Sequence, residues 1–295
     1  MTWALYGISA GVILGLYDIS TKHAMTNNSV LPIVVWSSAF GALAWLLGAA
    51  GSAVVDGELH IWRTSPLEQL LLAPKGAMMT LSWILAYLAV RELSVSFAGA
   101  VRASGPILTF IGGLVVFGET LTWLQSVALA LSTLAYYIFV VIGRREGLTT
   151  DSVKAMGFML AATLLSSLTT VYDKMLVRRF AMSVPSIQLY SALHRFAFSL
   201  VAACIILTAT GGWRPLRWSW AIPLVGLTWV GAEVAHFAAI SDPAAQVAQL
   251  AIFRRASLVV AFGYSAVVFR EANVPTKSAM IGLLILSIVF LILPT

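Results

Sequence analysis

The sequence predicts an all-α integral membrane protein with about ten transmembrane helices in two inverted five-helix repeats. Three observations carry this prediction. Of 295 residues, 60% are hydrophobic and only 10% charged, against about 25% charged in a soluble globular domain. No water-soluble fold of this length hides so much apolar surface. A bilayer core about 30 Å thick is crossed by roughly 20 apolar residues of helix, and runs of that length recur along the chain. Side-chain patterns of the first half then return in the second. A membrane β-barrel would instead show strand-length segments of alternating polarity.

The first span is expected at Ala4–Thr21. No basic flank precedes it, the first charged residue being Asp18, so it reads as a retained helix and not a cleaved signal peptide. Its Gly7, Gly11 and Gly15 stand at four-residue steps, which let another helix approach closely. Leu31–Val55, Leu67–Val90, Val95–Phe117 and Leu121–Ile142 complete the first half. The basic and acidic stretch from Gly143 to Ser152 connects the halves, giving units at residues 1–145 and 152–295. The second half reads as Val153–Val177, Val184–Ala209, Trp218–Ile240, Ala245–Phe269 and Pro275–Leu293. The longest other connection, Asp56–Pro66, is too short to bury a core of its own.

The two halves correspond at several points. Tyr17-Asp18 matches Tyr172-Asp173, and Pro32 matches Pro185. Arg102, Val115, Val116, Phe117 and Glu119 fall on Arg254, Val267, Val268, Phe269 and Glu271 in constant register. An odd number of helices per repeat turns the second copy over in the membrane. Lys and Arg are more frequent in connections after odd-numbered spans, even with Lys75 and Lys174 counted on the even side; the positive-inside rule then places both termini outside. The net charge of +6 is scattered between apolar runs, which argues against a nucleic-acid partner. Cys204 is the only cysteine, which excludes an intrachain disulfide and any multi-cysteine metal site.

At Val116-Phe117-Gly118-Glu119-Thr120-Leu121 the fourth span ends in a Gly-Glu turn that leads into the fifth. This resembles the signature of the EamA-type drug/metabolite transporter superfamily, and Ser104-Gly105-Pro106 resembles its proline-containing fourth helix. Phe269-Arg270-Glu271 resembles the second copy, with Arg270 in place of the glycine and Leu258 in place of the proline. The resemblance implies a ten-helix carrier with inverted repeats, a central cavity formed by both halves, and both termini in the cytoplasm, an orientation preferred to that of the charge count. Members of the superfamily handle amino acids, other metabolites, drugs and nucleotide-linked sugars, so it does not assign the solute.

Ionisable groups within a span are costly and therefore candidates for function. Arg102, His194, Arg195, Glu233, His236, Arg254 and Arg255 form the deep set, with Asp18 and Asp173 nearer helix ends. Trp229, Glu233 and His236 share one helix face, as do Trp83 and Tyr87, and the internal match sets Tyr87 opposite His236. The structural alternatives are that Glu233 and His236 satisfy each other or neutralise a nearby arginine and that the aromatics only pack. Arg102 and Arg254 occupy equivalent positions and offer planar forks suited to carboxylate or phosphate; the alternative is a structural pair with Glu233, Asp18 or backbone carbonyls. Tyr190 and His194 share a face from which Arg195 is rotated. Asp18 and Lys22, four apart, are read as a helix salt bridge.

The expected substrate-binding set is thus Arg102, Arg254, His194, Glu233, His236, Trp83, Tyr87, Trp229 and Tyr190. The expected function is secondary transport of a small polar, anionic or zwitterionic metabolite by alternating access, in a bacterial inner membrane. Partners are that solute, membrane lipids and, through the imidazole, a coupled proton; no cofactor or metal is expected. Lipid flipping is the alternative within the carrier class. A membrane-embedded enzyme using His194, His236 and Glu233 lacks any fixed metal-binding spacing.

Overall fold

A computed structural model of the protein describes residues 2–56, 64–93, 98, 101–102, 104–145, 150–210, 216–268 and 274–292. The described residues are overwhelmingly helical and contain no strand. In order, the helices are α1 (Thr2–Met25), α2 (Val30–Asp56), α3 (Pro66–Glu92), α4 (Gly105–Phe117), α5 (Trp123–Arg145), α6 (Thr150–Arg178), α7 (Val184–Thr210), α8 (Ala221–Ile240), α9 (Val247–Phe253), α10 (Ala256–Val268) and α11 (Val274–Ile292). Seven segments, with α9 and α10 taken as one, are long and apolar enough to cross a membrane; three shorter apolar helices, Gly105–Phe117, Trp123–Ala135 and Ser278–Leu291, accompany them.

Local chemistry sets several helix ends. Ser65 accepts the Glu68 backbone N–H at 3.2 Å while Glu68 accepts that of Ser65 at 2.6 Å, a reciprocal cap reinforced by Pro66 in the first turn of α3. Thr122 and Gln125 make the same exchange before α5. The Gly-Glu turn has a conformational cause: Gly118 ends α4 at φ 66°, where a side chain is disfavoured, and the Glu119 N–H returns to the Gly113 carbonyl at 3.3 Å.

Outward faces carry exposed Leu5, Leu43, Leu47, Ile205 and Val267, as expected where the surroundings are lipid. Across the halves, α1 packs on α8 and α10, while α6 packs on α3 and α4. Likewise α2 meets α8 and α7 meets α3, with α2 also against α7 and α5 against α11. Exchanging the first five segments for the last five leaves this pairing pattern unchanged.

Three sequence expectations change. The ninth span is broken: Arg254 and Arg255 form a turn between α9 and α10, held by bonds from Arg255 N to Ile252 O at 2.9 Å and from Leu258 N to Arg255 O at 2.9 Å. No proline causes this; the turn lies against α1, since a Cβ on Gly11 would stand 2.5 Å from the Phe253 carbonyl oxygen. The fourth span likewise restarts at Gly105, after a tight turn in which Ser104 N reaches Val101 O at 3.3 Å. Finally, Lys75 and Lys174, counted with the connections, lie inside α3 and α6 and are buried, because each finds a carboxylate there. Phe269-Arg270-Glu271 lies outside the described residues, as do most of Asp56–Pro66 and the centre of the connection between halves.

Candidate functional site

The glycines of α1 bring its backbone onto the α9–α10 turn, with a Gly11 Cβ position 3.1 Å from Arg254 Cα and a Gly15 Cβ position 2.9 Å from the Ser257 carbonyl oxygen. This close approach sets Tyr17 and Asp18 against the same space as Arg254. A cavity of about 60 Å³ opens there, lined among others by Tyr17, Asp18, Trp83, Arg102, Trp229 and Arg254. A second, of about 20 Å³, shares Ser82, Trp83, Ser166, Trp229 and Arg254 with the first and adds Thr170, Asp173 and Glu233. Together they hold a few water molecules, with walls drawn from both halves of the chain. A far larger cavity, about 810 Å³ between α4 and α5, is lined mainly by apolar residues such as Ile107, Phe110 and Leu134 and holds no carboxylate or basic group. Its lining suits lipid contact and gives no handle for a polar solute.

Charge is organised around the small cavities in two groups. In the first, Arg102 donates to Asp18 at 2.5 Å. In the second, Lys75 stands 2.6 Å from Asp173 and 3.7 Å from Glu233, with its ammonium 4.5 Å above the Phe237 ring. His236 Nε2 faces the other Asp173 oxygen at 4.0 Å. Buried charges persist only when paired in this way. Arg254, between the two groups, reaches only the Thr170 hydroxyl among the described residues, at 3.4 Å.

Above these lies an aromatic cluster. Tyr17 donates to Tyr87 at 3.3 Å, Trp83 stacks on Tyr87 with ring centres 5.7 Å apart, and Trp229 meets Trp83 edge-on at 5.1 Å. The Arg195 guanidinium is 1% exposed and sits 4.2 Å over Trp83 and 5.4 Å from Trp229. That geometry is a desolvated cation–π contact. Gly41 makes room for it, since a Cβ there would lie 3.0 Å from the guanidinium.

The structure therefore brings together Arg102, Arg254, Glu233, His236, Trp83, Tyr87 and Trp229 of the expected set. It separates His194 and Tyr190 from them. The His194 Cβ packs where Gly76 lacks a side chain and its ring lies 6.3 Å from Phe198, while Tyr190 packs against the apolar cluster around Leu72 and Phe237. Arg195, rotated from that face, is the inward group. Glu233 and His236 do not pair with each other; they face Lys75 and Asp173. Asp18 does not pair with Lys22, whose ammonium instead caps the end of α3 through the Val90 and Leu93 carbonyls at 2.7 and 3.0 Å. Lys75 was the central residue that sequence reasoning passed over, and Asp173, read as lying near a helix end, is its buried partner. Its signal was present, since Lys75 interrupts an otherwise apolar run.

Residues 1–141 match the EamA-like transporter family. The resemblance carried by Gly118-Glu119 is borne out over that half. The match and the apolar helices make this an integral membrane protein, and they point to a membrane transporter of small solutes. A solved structure described as "Crystal structure of protein" is similar to the whole chain, with a TM-score of 0.70 at 16% identity over 98% of this chain and 95% of that one, which is a likeness of fold alone. No curated protein matches.

Proposed function

We propose that the chain is a secondary transporter that moves a small anionic or zwitterionic metabolite by alternating access, with its two five-helix halves related as inverted repeats in a bacterial inner membrane. The observation that carries this reading is the buried, ionised cavity to which Asp18, Trp83 and Arg102 come from one half and Trp229, Glu233 and Arg254 from the other. Intramembrane charges are expensive and mark solute or proton paths, and secondary carriers bind at the interface of their repeats beside interrupted helices. The α9–α10 turn and the exchange-invariant helix pairing support that architecture. The larger of the two small cavities is lined by Arg102, Arg254 and Arg255 against the single carboxylate of Asp18, which favours a negative group on the solute. His236, beside Asp173, and Glu233, beside Lys75, form the proton-responsive part.

The test is uptake by purified protein in proteoliposomes, against a panel of small anions and zwitterions, with and without an imposed pH gradient. Glu233→Gln and His236→Ala are expected to change the rate or its pH profile while the protein stays folded. If both variants transport the identified solute at the parent rate and with the parent profile, the two residues are structural and the proton-responsive role fails.

A further inference from the structure

Arg102 and Arg254 share a sequence register but not an electrostatic situation. Arg102 reaches back 84 residues to Asp18; Arg254 reaches back 84 residues to Thr170. A second pair of contacts confirms this register. Lys22 donates to the Leu93 carbonyl and Lys174 to the Ala245 carbonyl, each spanning 71 residues. The offset that carries Arg102 to Arg254 and Lys22 to Lys174 thus carries Asp18 to Thr170. It differs by one helical turn from the Tyr17-Asp18 and Tyr172-Asp173 match read in the sequence, and Asp173 is already held by Lys75. One arginine has its carboxylate built into the fold. At the other, a hydroxyl stands where that carboxylate would be.

We infer that Arg254, beside Thr170, is the docking point for a single carboxylate of the solute, in the place that Asp18 fills beside Arg102. Among the described residues no carboxylate lies within 4.0 Å of Arg254, whereas Arg102 is neutralised at 2.5 Å. A guanidinium in a low-dielectric site draws a planar, singly charged oxyanion with two parallel hydrogen bonds. Arg254 lines both small cavities, so a ligand in either reaches it. Its remainder then lies against Trp83 and Trp229, with the Ser82 and Ser166 hydroxyls beside them. A second negative group on the ligand finds no partner, since Asp18 occupies Arg102 and the Arg255 guanidinium donates to the Ala251 and Arg102 carbonyls. The preferred solute is therefore a monocarboxylate with an uncharged, partly apolar body. This rests on the transporter reading for the fate of the ligand, but the docking point is a claim about binding alone.

The experiment measures binding to the full-length protein in detergent, by titration calorimetry and by shift in melting temperature, with acetate, propionate and benzoate each compared with its amide, and with phthalate as a dianion. The carboxylates are expected to bind at least tenfold more tightly than their amides, and benzoate more tightly than phthalate. Thr170→Asp supplies the missing carboxylate internally, so it should remain folded and lose benzoate binding at least tenfold, while Thr170→Ser retains it. Asp18→Asn releases Arg102 and should bring phthalate binding up to or above that of benzoate. Should Thr170→Asp fail to fold, Arg254→Gln takes its place with the same expected loss. Equal binding of acids and amides by the parent, or benzoate binding unchanged in a folded Thr170→Asp or Arg254→Gln variant, overturns the inference. Proteoliposome uptake of the same probes is scored separately. Binding lost in Thr170→Asp with no uptake by the parent leaves the docking point standing and removes the transport reading; uptake by the parent that Thr170→Asp leaves intact does the opposite.

Discussion

Replacing Lys75 with Met keeps the length of the side chain and its contact with Phe237 but removes the cation that faces Asp173 at 2.6 Å and Glu233 at 3.7 Å. The three side chains are 0%, 4% and 10% exposed, so little water is available to take over the role of the ammonium. At an effective dielectric of about 20, charges at those separations attract by about 6 and about 4.5 kcal/mol. Most of that gain is offset by the cost of desolvating the ions when the fold forms. Removing one partner leaves the desolvation cost in place, so Lys75→Met is expected to destabilise the protein by about 3–5 kcal/mol. Asp173→Asn should cost less, because Lys75 keeps Glu233. The informative variant is the double replacement, Lys75→Met with Asp173→Asn. It strands one carboxylate where the lysine variant strands two, so it should be more stable than Lys75→Met alone by about 1–2 kcal/mol, and the coupling energy is that difference plus the cost of Asp173→Asn. Reversible chemical unfolding in mixed micelles reads all three variants against the parent. If the double variant is destabilised by the sum of the singles to within about 0.5 kcal/mol, the residues are not coupled and the buried network is not what holds α3, α6 and α8 together.

Two further outcomes follow from the packing. Gly11→Ala places a methyl against the Phe253 carbonyl oxygen and the Ala256 side chain, so it should cost about 1–3 kcal/mol through overpacking and weaken carboxylate binding by displacing Arg254; Gly48→Ala meets nothing within 4 Å and should be neutral or stabilising by up to about 1 kcal/mol. Equal melting temperatures for the two variants would remove the role given to the α1 glycines. Reporter fusions at the two ends should fall on the same side of the membrane, as an even number of crossings requires, and opposite sides would break the ten-helix count. The same fusions decide between the cytoplasmic termini implied by the resemblance and the external termini implied by charge, a contrast made sharper by the burial of Lys75 and Lys174.

The sequence by itself determined where the long apolar helices begin and end. Expected span ends lie within about four residues of those observed for most helices, because hydropathy over a run of this length is a local property that needs no knowledge of neighbours. It also determined the Gly118-Glu119 turn, since the positive φ at Gly118 is a constraint on one residue. Helical periodicity put Trp83 with Tyr87 and Trp229 with Glu233 and His236 on shared faces, and repeat register singled out Arg102 and Arg254. Tertiary structure decided the rest. Lys75 reads as a flank until Asp173, far away in sequence, is seen 2.6 Å from it. Arg195 reads only as rotated off the face that Tyr190 and His194 share until Trp83 and Trp229 are seen around it. The break after Phe253 has no proline to announce it and is seen only in the fold, where α1 packs closely against it. Arg102 and Arg254, alike in register, differ because Asp18 lies beside one and Thr170 beside the other. In each case the missing information is which charge or backbone stands across a few ångströms of low-dielectric space. Coulombic and steric terms depend on that separation and not on position along the chain.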